Sequence, residues 1–158
     1  MTQQPMDVVR AILSDPADLD LVSRLVAPDA TYVSLNYDNP ELKKLMPWCG
    51  TGHGPKGIVD TFVKVRRFWR TDAFEIRSLF GSGEDVAVFG SFTYTSTKIG
   101  RKVTSPFAIW AKVTDGKLTY MQFMEDTFAT GMSFRTRGVW HFESDPDGGE
   151  VTVGAEDA

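Results

Sequence analysis

A lone acid closing an otherwise uncharged stripe is the arrangement in this sequence best suited to proton chemistry. From Leu118 onward, strand alternation puts Tyr120, Gln122, Met124 and Asp126 on one side and Met121, Phe123 and Glu125 on the other. If the first side faces a cavity lined by Trp48, Phe62, Tyr94 or Trp110, loss of solvent raises the carboxyl pKa of Asp126 toward the range useful for proton transfer. The same residue suits a second reading, in which Asp126 caps a short turn beginning at Thr127. Both readings stand at this point. Tyr32, Ser34 and Asn36 alternate on an earlier strand and can point into the same space, where the phenol of Tyr32 or Tyr94 would polarise a carbonyl oxygen. His53 follows a glycine and precedes a helix start, where it suits either a pocket-rim acid or base or an exposed loop histidine.

Other motifs point elsewhere or nowhere. Gly52-His53-Gly54-Pro55-Lys56-Gly57 matches the dinucleotide fingerprint G-x-G-x-x-G, yet LMPWC before it is a poor parallel strand and Pro55 lacks an amide to face a phosphate. Lys64, Arg66, Arg67 and Arg70 are interleaved with Val63, Val65, Phe68 and Trp69, so they mark the solvated side of a helix. His53 and His141 lie far apart with no cysteine or carboxylate at ligand spacing, and no metal site is expected. Cys49 cannot form an intrachain disulfide and reads as packing beside Trp48.

These residues need elements to position them. Met6 to Leu13 and Leu19 to Leu25 carry helical spacing, with Asp15-Pro16 as the expected cap and first-turn pair of the second helix. Ala30 to Leu35 reads as a strand, followed by a long polar loop through Asn36, Asp38 and Pro40 to Trp48. A third and longest helix begins at Gly54-Pro55. After Thr71 the period changes to two, and strands around 74–80, 86–97, 103–113 and 118–125 are separated by glycine-bearing turns such as Asp115-Gly116. Helices first and an antiparallel meander second predict an α+β fold with helices on one face of a curved sheet.

The chain has 158 residues, enough for one domain, expected over 1–143, with 144–158 as a mobile acidic tail. Net charge is -4, but 16 of the 21 acids and all 17 bases lie before residue 145, so the body is nearly neutral. That balance argues against a nucleic-acid partner. No apolar run long enough to span a membrane and no secretory leader is legible, and a cytoplasmic location is expected. Phe 11, Trp 4 and Tyr 4 are more rings than a plain scaffold of this size needs, which points to a lined pocket or interface. Trp140, just before the acidic segment, is expected to pack on the domain or on a second copy.

The order of elements resembles the SnoaL-like, ketosteroid-isomerase-related branch of the nuclear transport factor 2-like superfamily. The matching phrases are VAPDATYVSL, PWCGTGHGPKGIVDTF, GEDVAVFGSFTYTSTKIGRKV and WAKVTDGKLTYMQFMEDTFAT, over about residues 6–130. The resemblance implies a cone: a curved mixed sheet around a cavity, three N-terminal-side helices closing one side, and a homodimer through the sheet. It implies a small, largely apolar ligand and, for an enzyme, isomerase, cyclase or dehydratase chemistry without a cofactor. In the cyclases an acid late in the last strand carries the proton, and Asp126 is its counterpart by position. The steroid isomerase pattern departs, since no carboxylate stands near Ser34 or Leu35. Arg101 with Asp126 leaves an epoxide-hydrolase set open. A non-catalytic binding or dimerisation module is the rival reading.

Overall fold

Helix α1 (Pro5–Ser14) starts on a proline in its first turn and buries Val8, Val9 and Ile12 on one face, as its spacing dictates. This computed structural model describes residues 3–154 of the chain. Helix α2 (Leu19–Leu25) is capped by Asp18, not Asp15: the Asp18 carboxylate accepts from the amides of Asp20 and Leu21 at 2.9 and 3.1 Å. Asp15 and Pro16 lie in the turn before it, and Asp15 turns away to pair with Arg66 at 2.9 Å.

Strand β1 (Val26–Ser34) is followed by a segment that is not the loop its composition suggests. Asn39 accepts from the Leu42 amide at 3.0 Å and Pro40 sets the first turn, which produces a short helix α3 (Pro40–Leu45). A four-residue strand β2 (Gly50–His53) then folds back on β1, pairing Ser34 with Gly50 and Thr31 with His53. Among the described residues, the short α3 thus joins the three helices expected before the meander. The fourth, α4 (Gly54–Phe68), directs Ile58, Val59, Phe62 and Val65 inward.

The G-x-G-x-x-G phrase is the junction between β2 and α4. Gly54 sits at φ +66 and a side chain there would meet the Pro28 carbonyl at 2.7 Å; one at Gly57 would meet Gly52 at 3.1 Å. Close packing of backbone on backbone accounts for these glycines.

Long strands β3 (Trp69–Ser82), β4 (Asp85–Ser96), β5 (Lys102–Thr114) and β6 (Lys117–Glu125) complete one six-stranded sheet in the order β2-β1-β6-β5-β4-β3. Among the described residues β1 and β6 pair in parallel and the other neighbours antiparallel, so the sheet is mixed. Helices α1, α2 and α4 cover its inner face, and the core between them holds Tyr32, Phe62, Trp69, Phe92, Phe107, Met121 and Phe123 among others. A short helix α5 (Thr127–Met132) follows β6.

Beyond α5 the chain forms a small hairpin of β7 (Trp140–Phe142) and β8 (Val151–Val153). The boundary expected after residue 143 falls inside it, because β7 precedes and β8 follows that point. Trp140 packs edge-on against Phe128 of α5 at 5.4 Å, and the Arg135 guanidinium donates to the Gly154 carbonyl at 2.8 Å. The last four residues of the expected tail lie outside the described residues. Among the described residues, no helix is long and apolar enough to cross a membrane.

Candidate functional site

Which face of β6 looks inward decides the site. A register irregularity in the β5–β6 pairing falls between Lys112 and Val113, opposite Leu118 to Tyr120. Such an irregularity switches the parity of the strand. Leu118 is buried, but beyond the shift it is Met121 and Phe123 that are buried, and Glu125 continues their side. Tyr120, Gln122 and Met124 are therefore on the outer face, where Tyr120 packs on Trp110 at 5.0 Å and its hydroxyl lies 3.1 Å from Gln122 Oε1. Trp110 is itself 42% exposed and donates through Nε1 to Asp85 at 2.8 Å.

The inner side holds a different set. Tyr32 and Ser34 of β1, Trp48, Phe62 of α4 and Tyr94 of β4 converge there with Trp69, Phe123 and Glu125. Tyr32 stacks on Phe62 at 6.2 Å; Trp69 lies 5.1 Å from Trp48 and 5.4 Å from Tyr94. These rings nearly fill the cone, leaving about 20 Å³, room for a single water. Across Phe62, Val65 and Tyr94 lies an outer pocket of about 320 Å³, opening between the α1–α2 turn, α4 and β3.

Asp126 is exposed and caps α5, its carboxylate accepting from the Ala129 amide at 3.0 Å. Of its two readings, the structure realises the cap. His53 is exposed at the N-terminus of α4, and Asn36 is exposed past the end of β1, so neither reaches the cone. The Arg101 guanidinium donates to the carbonyls of Met132 and Arg135 at 3.2 and 2.7 Å, tying down the chain after α5.

The acid in the cone is Glu125, partly buried at the end of β6. Burial pushes its pKa up to about 8, and the neighbouring Asp126 charge adds to the rise. Burial likewise raises the phenols of Tyr32 and Tyr94 well above their ordinary value, with the Glu125 charge acting in the same sense on both. The Ser34 hydroxyl beside Tyr32 works the other way. At neutral pH the cone thus holds two protonated phenols and one carboxyl that is mostly protonated yet able to ionise.

This coupling gives a direct expectation. Asp126→Asn keeps a capping oxygen but removes the charge, so the Glu125 pKa falls. Carboxyl carbon NMR titration of Glu125 measures it, and an unmoved titration would break the link between the two residues.

Residues 10–121 match the SnoaL-like domain. The chain belongs to the SnoaL-like family. Patulin synthesis protein F of Aspergillus clavatus is 40% identical to this SnoaL-like chain over 157 residues, covering 96% of the chain and 79% of that protein. An NTF2-like protein from Burkholderia thailandensis shares the fold with TM-score 0.72 at 19% identity, over 85% of this chain and 99% of that one. TerC, co-crystallized with polyporic acid, shares it with TM-score 0.67 at 23% identity, over 82% and 97% of the two chains.

Glu125, Trp69 and Phe123 complete the cone although local pattern alone does not place them there. The signal available was apolarity: Met121 and Phe123 make a more hydrophobic stripe than Tyr120 and Gln122, as an inner face requires.

Proposed function

We propose that this SnoaL-like chain is a cofactor-independent enzyme that isomerises or rearranges a small, oxygenated, largely apolar ring compound by proton transfer through Glu125. One observation carries the proposal: a carboxyl with its pKa near 8 sits among apolar rings and beside two protonated phenols. The carboxylate form of Glu125 takes a proton from a carbon next to a carbonyl, breaking the C–H bond. Tyr32 and Tyr94 donate hydrogen bonds to the oxygen where charge develops. The carboxylic acid then returns the proton at another atom of the same molecule, so no oxidant or second substrate enters the balance. A pKa near 8 leaves about a tenth of the group ionised at pH 7, with both forms in ready exchange. Asp126 supports this role from outside the cone through its charge.

Kinship to a protein of patulin synthesis favours a small metabolite as the substrate. The test is complementation of an Aspergillus clavatus strain lacking its patulin synthesis protein F. Expression of this chain restores patulin accumulation; failure at a protein level matching the native one would overturn a shared substrate.

The small free volume of the cone favours a second reading, a module that binds in the outer pocket without turnover. It predicts that a compound accumulated by the deletion strain binds but is returned unchanged.

We also propose a homodimer through the outer sheet face, where Phe80, Phe89, Trp110 and Met124 are 55%, 47%, 42% and 36% exposed. Sedimentation equilibrium should give twice the chain mass for the native protein and a monomer for Phe89→Lys. A native monomer at tens of micromolar would refute the dimer.

A further inference from the structure

The outer pocket has chemistry of its own. Phe62, Phe74 and Tyr94 give it an aromatic wall, and Arg66 of α4 is the charged residue among those lining it. Asp15 does not line the pocket, yet it fixes the guanidinium at its rim through Nη2 at 2.9 Å. A guanidinium has five N–H donors, so one bond to Asp15 leaves donors for a second oxygen anion. The charge is felt across the shared wall, since Arg66 opposes the rise in the Tyr94 phenol. Phe62, Val65 and Tyr94 belong to both spaces, which makes the pocket an antechamber to the cone.

We propose that this antechamber is an anion-reading subsite: Arg66 receives the carboxylate or enolate arm of a ligand whose ring lies on Phe62, Phe74 and Tyr94. The proposal rests on the reading of the cone as a small-molecule site, and it adds the class of substituent that the site selects. A ring of one or two fused cycles fits the 320 Å³ of the pocket, with its anionic arm held at the Arg66 rim. Asp15 is then both a positioning residue and an internal competitor, because it holds the fork in place while neutralising part of its charge.

The probes are 2-naphthoate and its neutral isostere 2-naphthamide, titrated calorimetrically into the full chain at low ionic strength. The native protein should bind the carboxylate at least about 10-fold more tightly than the amide, the size of a charge-assisted pair at a half-exposed site. Arg66→Met should erase that preference and leave amide binding in place. Asp15→Asn, which keeps the local acceptor but not the charge, should strengthen naphthoate binding severalfold. Equal affinity for both probes in the native protein, an undiminished preference in Arg66→Met, or no binding of either probe at millimolar concentration would overturn the subsite. Failed complementation with the carboxylate preference intact would sink the proposed reaction and leave this subsite standing; successful complementation with no preference would do the reverse.

Discussion

Glu125→Gln is expected to cut turnover by at least about 100-fold, the lower end of what a positioned general acid or base contributes. That factor corresponds to roughly 2.7 kcal/mol of barrier, too large to arise from a slight repacking of an isosteric side chain. The assay follows consumption of the compound accumulated by the Aspergillus clavatus deletion strain, with native protein and variant at equal concentration. Stability supplies an independent check with the opposite sign. The folded pKa of Glu125 is near 8 against an ordinary value of 4.5, so between these limits the folded state holds a proton that the unfolded chain has released. Stability therefore falls as pH rises from about 4.5 through 8. Glutamine cannot ionise, so Glu125→Gln should flatten that decline and be more stable than the native protein at pH 8.5, by up to about 4–5 kcal/mol for a shift of this size. A variant that loses activity and also loses stability at high pH would contradict a desolvated acid at this position. Retained activity would return the reaction to another group.

The α+β order, the helical start at Gly54-Pro55 and the four long strands were legible because each rests on a local signal: period, proline position or a glycine turn. Tyr32, Ser34, Phe62 and Tyr94 sit on elements legible for the same reason, and the irregularity of β1 lies before Thr31, ahead of Tyr32 and Ser34. What local pattern could not show was parity beyond an irregularity. The register shift opposite Leu118 moves Met121, Phe123 and Glu125 inside, and an unbroken alternation counted from Leu118 puts Asp126 there instead. Competition among caps was also hidden. Asp15 and Asp18 both precede a helical pattern, and the choice falls to Asp18 because Asp15 has a distant partner in Arg66 that no local window contains. The spacing of Val65, Phe68 and Trp69 extends a helix face, whereas Trp69 ends the helix and begins β3.

Trp69 is also where the largest loss of stability is expected. The indole is 1% exposed, and its Nε1 donates to Ser133 Oγ at 2.8 Å, which in turn donates to the Thr130 carbonyl at 2.6 Å. One face stacks on Phe134 at 4.7 Å, so a single side chain joins the start of β3 to the segment that closes the cone after α5. Trp69→Ala removes this volume and should cost about 3–5 kcal/mol. Such a cost is a large part of the roughly 5–15 kcal/mol that holds an ordinary domain together. For a chain of this size it should lower Tm by about 6–20 °C, read by circular dichroism at fixed pH. Trp69→Phe separates packing from the hydrogen bond: it keeps a ring against Phe134, and Ser133 retains Thr130 as its acceptor, so no donor is orphaned. The phenylalanine variant should recover most of the loss. If the two variants unfold at the same temperature, the indole N–H rather than the ring is what fastens α5. If neither moves Tm by more than a degree or two, the closure of the cone does not depend on Trp69, and the desolvation of Glu125 must come from the sheet and α4 alone.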